Sequence, residues 1–191
     1  MLLARHGETE WNRDGRFQGH ADSPLSEKGR AQARALARQL AGTALAAVYA
    51  SDLRRALETA EIIAEVKGLD VRARWQLREV DVGEWTGLTW AEIEQRFPGG
   101  IARHHERGHG WEQGESYEAM AERVLAELGR IAEEHPGGTV LVVAHGGTMR
   151  AIAAHADGVD VATHRRRNST PVRNCELRIL AIENGRLRRL N

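Results

Sequence analysis

From Thr139 to Ala144 the chain is β-branched or apolar without a break, and it stops abruptly at His145-Gly146-Gly147-Thr148. A run of that kind suits a strand covered on both faces, which occurs almost only inside a parallel sheet flanked by helices. Open sheets of that type bind ligands at the carboxyl ends of their strands. The polar stop therefore marks a place where side chains are delivered to a crevice. The chain begins with the same arrangement: Leu2-Leu3-Ala4 leads into Arg5-His6-Gly7. Two buried strands are thus expected to present an imidazole each.

Between them the apolar period alternates. Ser26 is positioned to cap a helix carrying Ala33, Leu36, Ala37, Leu40 and Ala41 on one face and ending at Gly42. Leu45 to Ala50 fits a short buried strand, and Ser51-Asp52 offers a cap for a helix striped by Leu53, Ala56, Leu57, Ala60, Ile63 and Ala64 and stopped by Gly68. Arg54 and Arg55 then fall in a first helical turn, where the dipole favours negative charge by up to about 1 kcal/mol. An anion bound beside them would reverse that penalty. A strand is expected over Val71 to Leu77, followed by Arg78-Glu79, a tight loop at Gly83, Trp85 and Gly87, and a short helix capped by Thr89 and stopped before Pro98. Gly99 to Gly114 shows no period and is expected to be a flap. Ser116 caps a long helix striped by Met120, Val124, Leu128 and Ile131. A helix from Met149 to about Ala156 and a hairpin (Cys175 to Ile182, then Leu187 to Leu190) with a type I′ turn at Asn184-Gly185 complete the chain. Alternating strands and helices predict an α/β fold, a mostly parallel central sheet with helices on both faces. A single domain over 1–191 with a small lid-like insertion at about 88–116 fits the length.

Lys plus Arg and Asp plus Glu both number 27, so no net field steers the chain to nucleic acid or membrane. A small molecule is the expected partner. Cys175 is the only cysteine, which excludes a disulfide framework and suggests a reducing, cytoplasmic setting. No stretch approaches the roughly 20 apolar residues of a membrane span. His104, His105 and His109 lack a carboxylate or cysteine complement, so no metal and no cofactor are expected. Arg165-Arg166-Arg167 fits a solvated loop or a subunit contact in a homodimer.

The strand ends gather Arg5, His6, Arg54 or Arg55, Glu79 and His145. Guanidinium forks match phosphate oxygens, and a neutral imidazole can attack phosphorus, splitting one displacement into two easier ones. A carboxyl group could protonate the leaving oxygen and then deprotonate water, provided it begins protonated.

Four segments carry a resemblance. Arg5-His6-Gly7-Glu8-Thr9-x-Trp11-Asn12, Ser51-Asp52-Leu53-Arg54-Arg55-Ala56-x-x-Thr59-Ala60, Leu77-Arg78-Glu79-x-x-x-Gly83 and His145-Gly146-Gly147 resemble, in order, the histidine phosphatase superfamily and its phosphoglycerate mutase-like branch. The resemblance covers residues 1 to about 155 and implies a three-layer α/β/α sandwich. It implies that His6 is phosphorylated, that Arg5, Arg55 and His145 line the phosphate pocket, and that Glu79 is the general acid/base. The pocket arginine of the family directly precedes Ala, which selects Arg55 over Arg54. Thr9, Asn12, Gln18, Gly19 and Gly146 are expected on the phosphate side, and Trp111 is expected to shape specificity. Mutases of the family carry a longer, basic insertion after the catalytic Glu. The short, tryptophan-bearing segment here favours water as acceptor, hence a metal-independent phosphomonoesterase acting on a small phosphorylated metabolite. The alternatives are a mutase-type phosphoryl transfer and a catalytically silent ligand-binding relative. Phosphoglycerates, glucosyl-phosphoglycerate, α-ribazole phosphate and phosphoserine are all compatible substrates.

Overall fold

The computed structural model describes residues 1–168, 170–183 and 186–189. Its strands are β1 (Leu2–Arg5), β2 (Ala47–Ser51), β3 (Val71–Arg74), β4 (Val140–Ala144), β5 (Leu177–Glu183) and β6 (Arg186–Arg189). The helices are α1 (Glu10–Arg13), α2 (Glu27–Gln39), α3 (Arg54–Lys67), α4 (Trp90–Arg96), α5 (Gly100–Arg107), α6 (Tyr117–Glu134), α7 (Gly146–Ala156) and α8 (Val161–Arg167). One sheet runs in the order β3-β2-β4-β1-β5-β6. The first four strands in that order are parallel, β5 is antiparallel to β1, and β6 is antiparallel to β5.

Residue alternation along the strands explains the layers. Leu2, Ala4, Val48, Ala50, Leu141 and Val143 point to one face, where Leu36 and Ala37 of α2, Leu40 just after it, and Ala56, Ala60 and Ile63 of α3 cover them. Leu3, Tyr49, Val140, Val142 and Ala144 point to the other, beneath Met120, Val124, Leu128 and Ile131 of α6 and Met149 and Ile152 of α7. Every residue of β4 is buried, as its unbroken apolar run requires. The three-layer sandwich is therefore present.

Topology decides where the crevice lies. The connection from β1 to β2 uses α2 on one face and passes over β4, whereas the chain leaves β4 through α7 on the opposite face and passes over β1 to β5. The two paths diverge between neighbouring parallel strands, the switch point at which such sheets open a binding crevice. In register, Arg5 lies beside Ala144, so His6 and His145 leave the sheet side by side.

Several boundaries differ from expectation. Helix α2 ends at Gln39, short of Gly42. Leu53, without a side-chain bond, precedes α3; Asp52 is instead held by Arg78, whose Nε and Nη2 donate to its two carboxylate oxygens at 2.7 and 2.7 Å. Strand β3 stops at Arg74, because residues 75–77 turn in a 3₁₀ helix that buries Leu77 in the core. The expected flap contains helix α5, whose buried stripe is Gly100, His104 and Gly108. Glycine and histidine gave that stripe no apolar signal. Helix α7 begins at Gly146 rather than Met149, and α8 carries Arg165–Arg167 where a loop was expected. Strands β5 and β6 pair as the expected hairpin, while the Asn184-Gly185 turn lies outside the described residues. Among the described residues no helix is long and apolar enough to cross a membrane.

Candidate active site

His6 leaves β1 almost completely buried. Its Nδ1 lies 2.7 Å from the Gly7 carbonyl oxygen, an acceptor only, so Nδ1 carries the proton and Nε2 keeps its lone pair. Burial first, then the Arg55 and Arg5 guanidiniums, push its pKa well below the ordinary 6.5. The imidazole is therefore neutral at pH 7, the state a nucleophile needs. Its backbone is tied on several sides. The His6 N–H donates to Ala144 O (3.0 Å), the Gly7 N–H donates to Thr59 Oγ1 (3.0 Å), and Asn174 Nδ2 donates to His6 O (3.0 Å). A Cβ at Gly7 would meet Gly29 O at 2.5 Å, so the first turn of α2 excludes any side chain there.

The ring of His145 lies 5.2 Å from that of His6, tilted by 58°. Arg55 Nε donates to His145 Nδ1 at 3.3 Å, which places the His145 proton on Nε2. That buried Nε2–H has no hydrogen-bond partner among the described residues, and neither does Arg5 Nε. Buried donors without acceptors are costly unless a ligand supplies them. Burial, then Arg55 and His6, also hold His145 well below 6.5. Arg55 Nη1 and Nη2 donate to Ala21 O (2.7 Å) and Gly19 O (2.8 Å), and Arg5 Nη1 donates to Val172 O (2.6 Å). Burial lowers Arg55 to about 10, against the pull of Glu79 and Asp22, and the side chain stays cationic at neutral pH. Arg54 is exposed, and its backbone N–H donates to Asp22 Oδ1 at 2.8 Å. Arg5, Arg55 and His6 thus line one small cavity, and His145 packs against His6 and Arg55.

Glu79 stands opposite. Its Oε1 accepts the Val80 N–H and its Oε2 the Gly147 N–H, both at 2.9 Å. The second bond uses a first-turn amide of α7 that has no partner within the helix. A Cβ at Gly147 would press against the Glu79 carboxylate. Arg123 fixes the backbone beneath, donating to Gln76 O, Arg78 O and Glu79 O at 2.8, 2.9 and 2.9 Å while paired with both oxygens of Glu115. His20 Nε2 also lies 2.8 Å from Glu79 O.

Two cavities meet here. The smaller, about 170 Å³, is lined by His6, Arg55, Asn12, Gln18 and Gly19 among others. The larger, about 710 Å³, includes Gly146, Gly147, Trp90 and Arg150. Arg5, Phe17, Glu79 and Tyr117 line both.

The remaining expected contacts divide. Asn12, Gln18 and Gly19 line the smaller cavity and Gly146 the larger. Thr9 is fully buried behind them, capping α1 through Asn12 N (3.1 Å) and donating to Gln18 Oε1 (3.0 Å). Trp111 lines neither cavity; it packs on Trp85 and Tyr117 and donates Nε1–H to Glu115 O at 2.9 Å. Sequence reasoning missed Thr59, Asn174, Arg123 and Arg150. Thr59 stood within a quoted segment, but its partner Gly7 lies 52 residues away. Asn174 and Arg150 follow stretches without a local signature. Among the described residues no group of three or more His, Cys, Asp or Glu side chains could hold a metal ion.

Comparisons with known proteins identify the family. Phosphoserine phosphatase 1 of Hydrogenobacter thermophilus is 38% identical over 164 residues, 85% of this chain and 78% of that protein. A protein of Cronobacter sakazakii named as a probable phosphoglycerate mutase is 34% identical over 190 residues, 93% of this chain and 82% of its own length. The structure of a mycobacterial glucosyl-3-phosphoglycerate phosphatase in complex with VO3 superposes with a TM-score of 0.89 at 33% identity, covering 100% of this chain and 97% of that one. The whole chain, residues 1–191, matches one family model, and the protein belongs to the histidine phosphatase superfamily, branch 1.

Proposed function

We propose that this protein hydrolyses a small phosphomonoester by way of a phosphohistidine on His6. The observation that carries the reading is the position of Glu79, which lines both cavities and shares the smaller one with a neutral His6 whose Nε2 keeps its lone pair. The phosphoryl group occupies the smaller cavity and the leaving group the larger. The Nε2 lone pair attacks phosphorus as the ester P–O bond breaks, and the Glu79 carboxyl proton passes to the leaving oxygen. Water then gives its proton to the Glu79 carboxylate and attacks phosphorus, and the P–N bond electrons return to Nε2. Arg5, Arg55 and the Nε2–H of His145 stabilise the charge on the transferring oxygens. Asn12 and Gln18 supply further polar contacts from the cavity wall.

Water is the acceptor. Trp90 (42% exposed), His105 and Arg166 line the larger cavity from the solvent side, so bulk water reaches it between the two steps. The relatives named as phosphatases act on phosphoserine and glucosyl-3-phosphoglycerate, and substrates of that small, phosphorylated class suit this chain. Helices α4 and α5 of the insertion at 88–116 supply Trp90, His104 and His105 to the cavity and so act as its cover. The test is rapid quenching of turnover with radiolabelled phosphoester in alkaline detergent: the label is expected on His6 as an adduct that is stable in base and lost in acid. Turnover of p-nitrophenyl phosphate that persists in His6→Ala, or that disappears with EDTA, would overturn the proposal. Phosphate transfer to a phosphoglycerate in place of phosphate release would instead establish the mutase.

A further inference from the structure

An arginine side chain carries a fixed fork of N–H donors, and Arg123 of α6 has an acceptor for each of them. Its Nε and Nη2 donate to the two carboxylate oxygens of Glu115, at 2.6 and 2.6 Å. Nη1 donates to Gln76 O and Arg78 O at 2.8 and 2.9 Å, and Nη2 donates also to Glu79 O at 2.9 Å. The ion pair alone needs only the bonds to Glu115. The others all end on the stretch that leads from β3 to Glu79, where the chain has left the sheet and turns in a 3₁₀ helix. Both partners are mostly buried, with 13% and 19% of their side chains exposed, so solvent screens the pair little.

Glu115 is itself fixed in place. Its N–H donates to Asp81 O at 2.9 Å, and its carbonyl accepts the Trp111 Nε1–H at 2.9 Å. Close by, the Glu84 carboxylate accepts the N–H groups of Glu112 and Gln113 at 2.8 and 3.2 Å, and a Cβ at Gly114 would meet Asp81 O at 2.5 Å. The end of the 88–116 insertion is therefore stitched to the loop that carries Glu79.

We propose that Arg123, held by Glu115, is a positioning residue for proton transfer by Glu79. The proposal rests on the acid role of Glu79 in the phosphatase reading and adds the group that sets where its carboxyl stands. Arg123 lines neither cavity and so acts only through Glu79. A general acid must stand within hydrogen-bond reach of the leaving oxygen, and a misplacement of about 1 Å can cost about 10²-fold in rate. The Glu79 carboxylate meets the Gly147 N–H at 2.9 Å only while its own backbone stays in place. Outside the sheet, the Arg123 guanidinium supplies that anchor by gathering the carbonyls before and at Glu79. Lysine, a point charge on a flexible stem, cannot hold the same fork of acceptors.

The test compares kcat/KM for p-nitrophenyl phosphate and phenyl phosphate, which share an aromatic ring and differ in how much the leaving oxygen needs a proton. Arg123→Met is expected to lower the phenyl phosphate value by about tenfold or more relative to the p-nitrophenyl value, as loss of a positioned acid does. In a Glu79→Gln background the same substitution should leave that ratio unchanged, because the group through which Arg123 acts is already gone. Glu115→Gln keeps the size and weakens the hold on the fork; it should shift the ratio less but in the same direction, and it gives a reading if Arg123→Met fails to fold. Equal losses on both esters would mark Arg123 as a structural residue only and overturn the proposal, as would a further change of the ratio in the Glu79→Gln background. Glu79→Gln with no ester preference removes the acid role itself and the proposal with it, whereas a preference in Glu79→Gln that neither Arg123→Met nor Glu115→Gln shares overturns the proposal alone.

Discussion

Arg55 Nε donates to His145 Nδ1 at 3.3 Å in a fully buried setting, and this one bond sets which nitrogen of His145 carries the proton. The same guanidinium closes the loop at Gly19 and Ala21. Arg55 therefore selects the tautomer of its neighbour and, in the proposed reaction, supplies charge beside the phosphoryl group. Arg55→Lys keeps the charge but not the three-point geometry. It is expected to lower kcat with p-nitrophenyl phosphate by about 10²-fold or more, the scale of losing one preorganised donor to developing charge. Retention of wild-type kcat in Arg55→Lys would show that charge alone suffices.

A pH dependence follows from the histidines. His6 and His145 titrate well below 6.5, and His104 is lowered to about 3 by burial first and by Arg165 second. With folded values depressed, the unfolded chain binds more protons below about pH 6.5. Stability is then complete above that pH and lost as pH falls toward the folded values, by about 1.4 kcal/mol per pH unit for each histidine. Urea midpoints should be flat from pH 7 to 8 and fall below about 6.5, with a shallower fall in His104→Gln. Because His6 stays neutral, the acid limb of kcat/KM should lie below the ordinary histidine value. A limb at 6.5 would contradict the buried, neutral nucleophile.

Glu79 and Gly147 form a second testable pair. Glu79→Gln removes the proton donor, so kcat/KM, which reports phosphohistidine formation and not the shared hydrolysis step, should fall by about 10²-fold or more for alkyl phosphates and far less for p-nitrophenyl phosphate, whose leaving group needs no proton. Gly147→Ala should reproduce that leaving-group dependence, because the new methyl displaces the carboxylate. Equal losses on both ester types would argue against acid catalysis by Glu79.

Thr59 joins the two phosphate-side elements: its Oγ1 accepts the Gly7 N–H at 3.0 Å and donates to Arg55 O at 2.7 Å. Thr59→Val keeps the shape and leaves the Gly7 N–H buried without a partner, a cost of about 1–3 kcal/mol. Thermal melting should show a loss of about 2–10 °C, with reduced kcat in the folded fraction.

Asn174 holds His6 from the other side, through His6 O at 3.0 Å and Asn12 Oδ1 at 3.2 Å. Asn174→Asp is isosteric but cannot donate at neutral pH. It should behave like Asn174→Ala, with kcat down about tenfold, KM nearly unchanged and about 1 kcal/mol of stability lost. A change confined to KM would place Asn174 on the substrate instead.

The amino-acid order alone determined the sheet's buried strands, the helix caps at Ser26, Thr89 and Ser116, and the positions at which β1 and β4 hand over to His6 and His145. Those features are local: an unbroken apolar run, a capping hydroxyl and a glycine act over a few residues, and hydrophobic burial needs no knowledge of the partner. The arginine pair at the start of α3 was legible for the same reason, as a charge set against a helix dipole. Helix α5 was not, because its buried stripe of Gly100, His104 and Gly108 carries no apolar period. What only the tertiary structure decided is distance between remote segments: Arg55 on His145, Asn174 on His6, and Arg123 beneath Glu79. Hydrogen bonds and desolvation act over a few ångströms in space and are blind to separation along the chain, so the tautomers and the depressed histidine pKa values exist only once the sheet has brought its strand ends together.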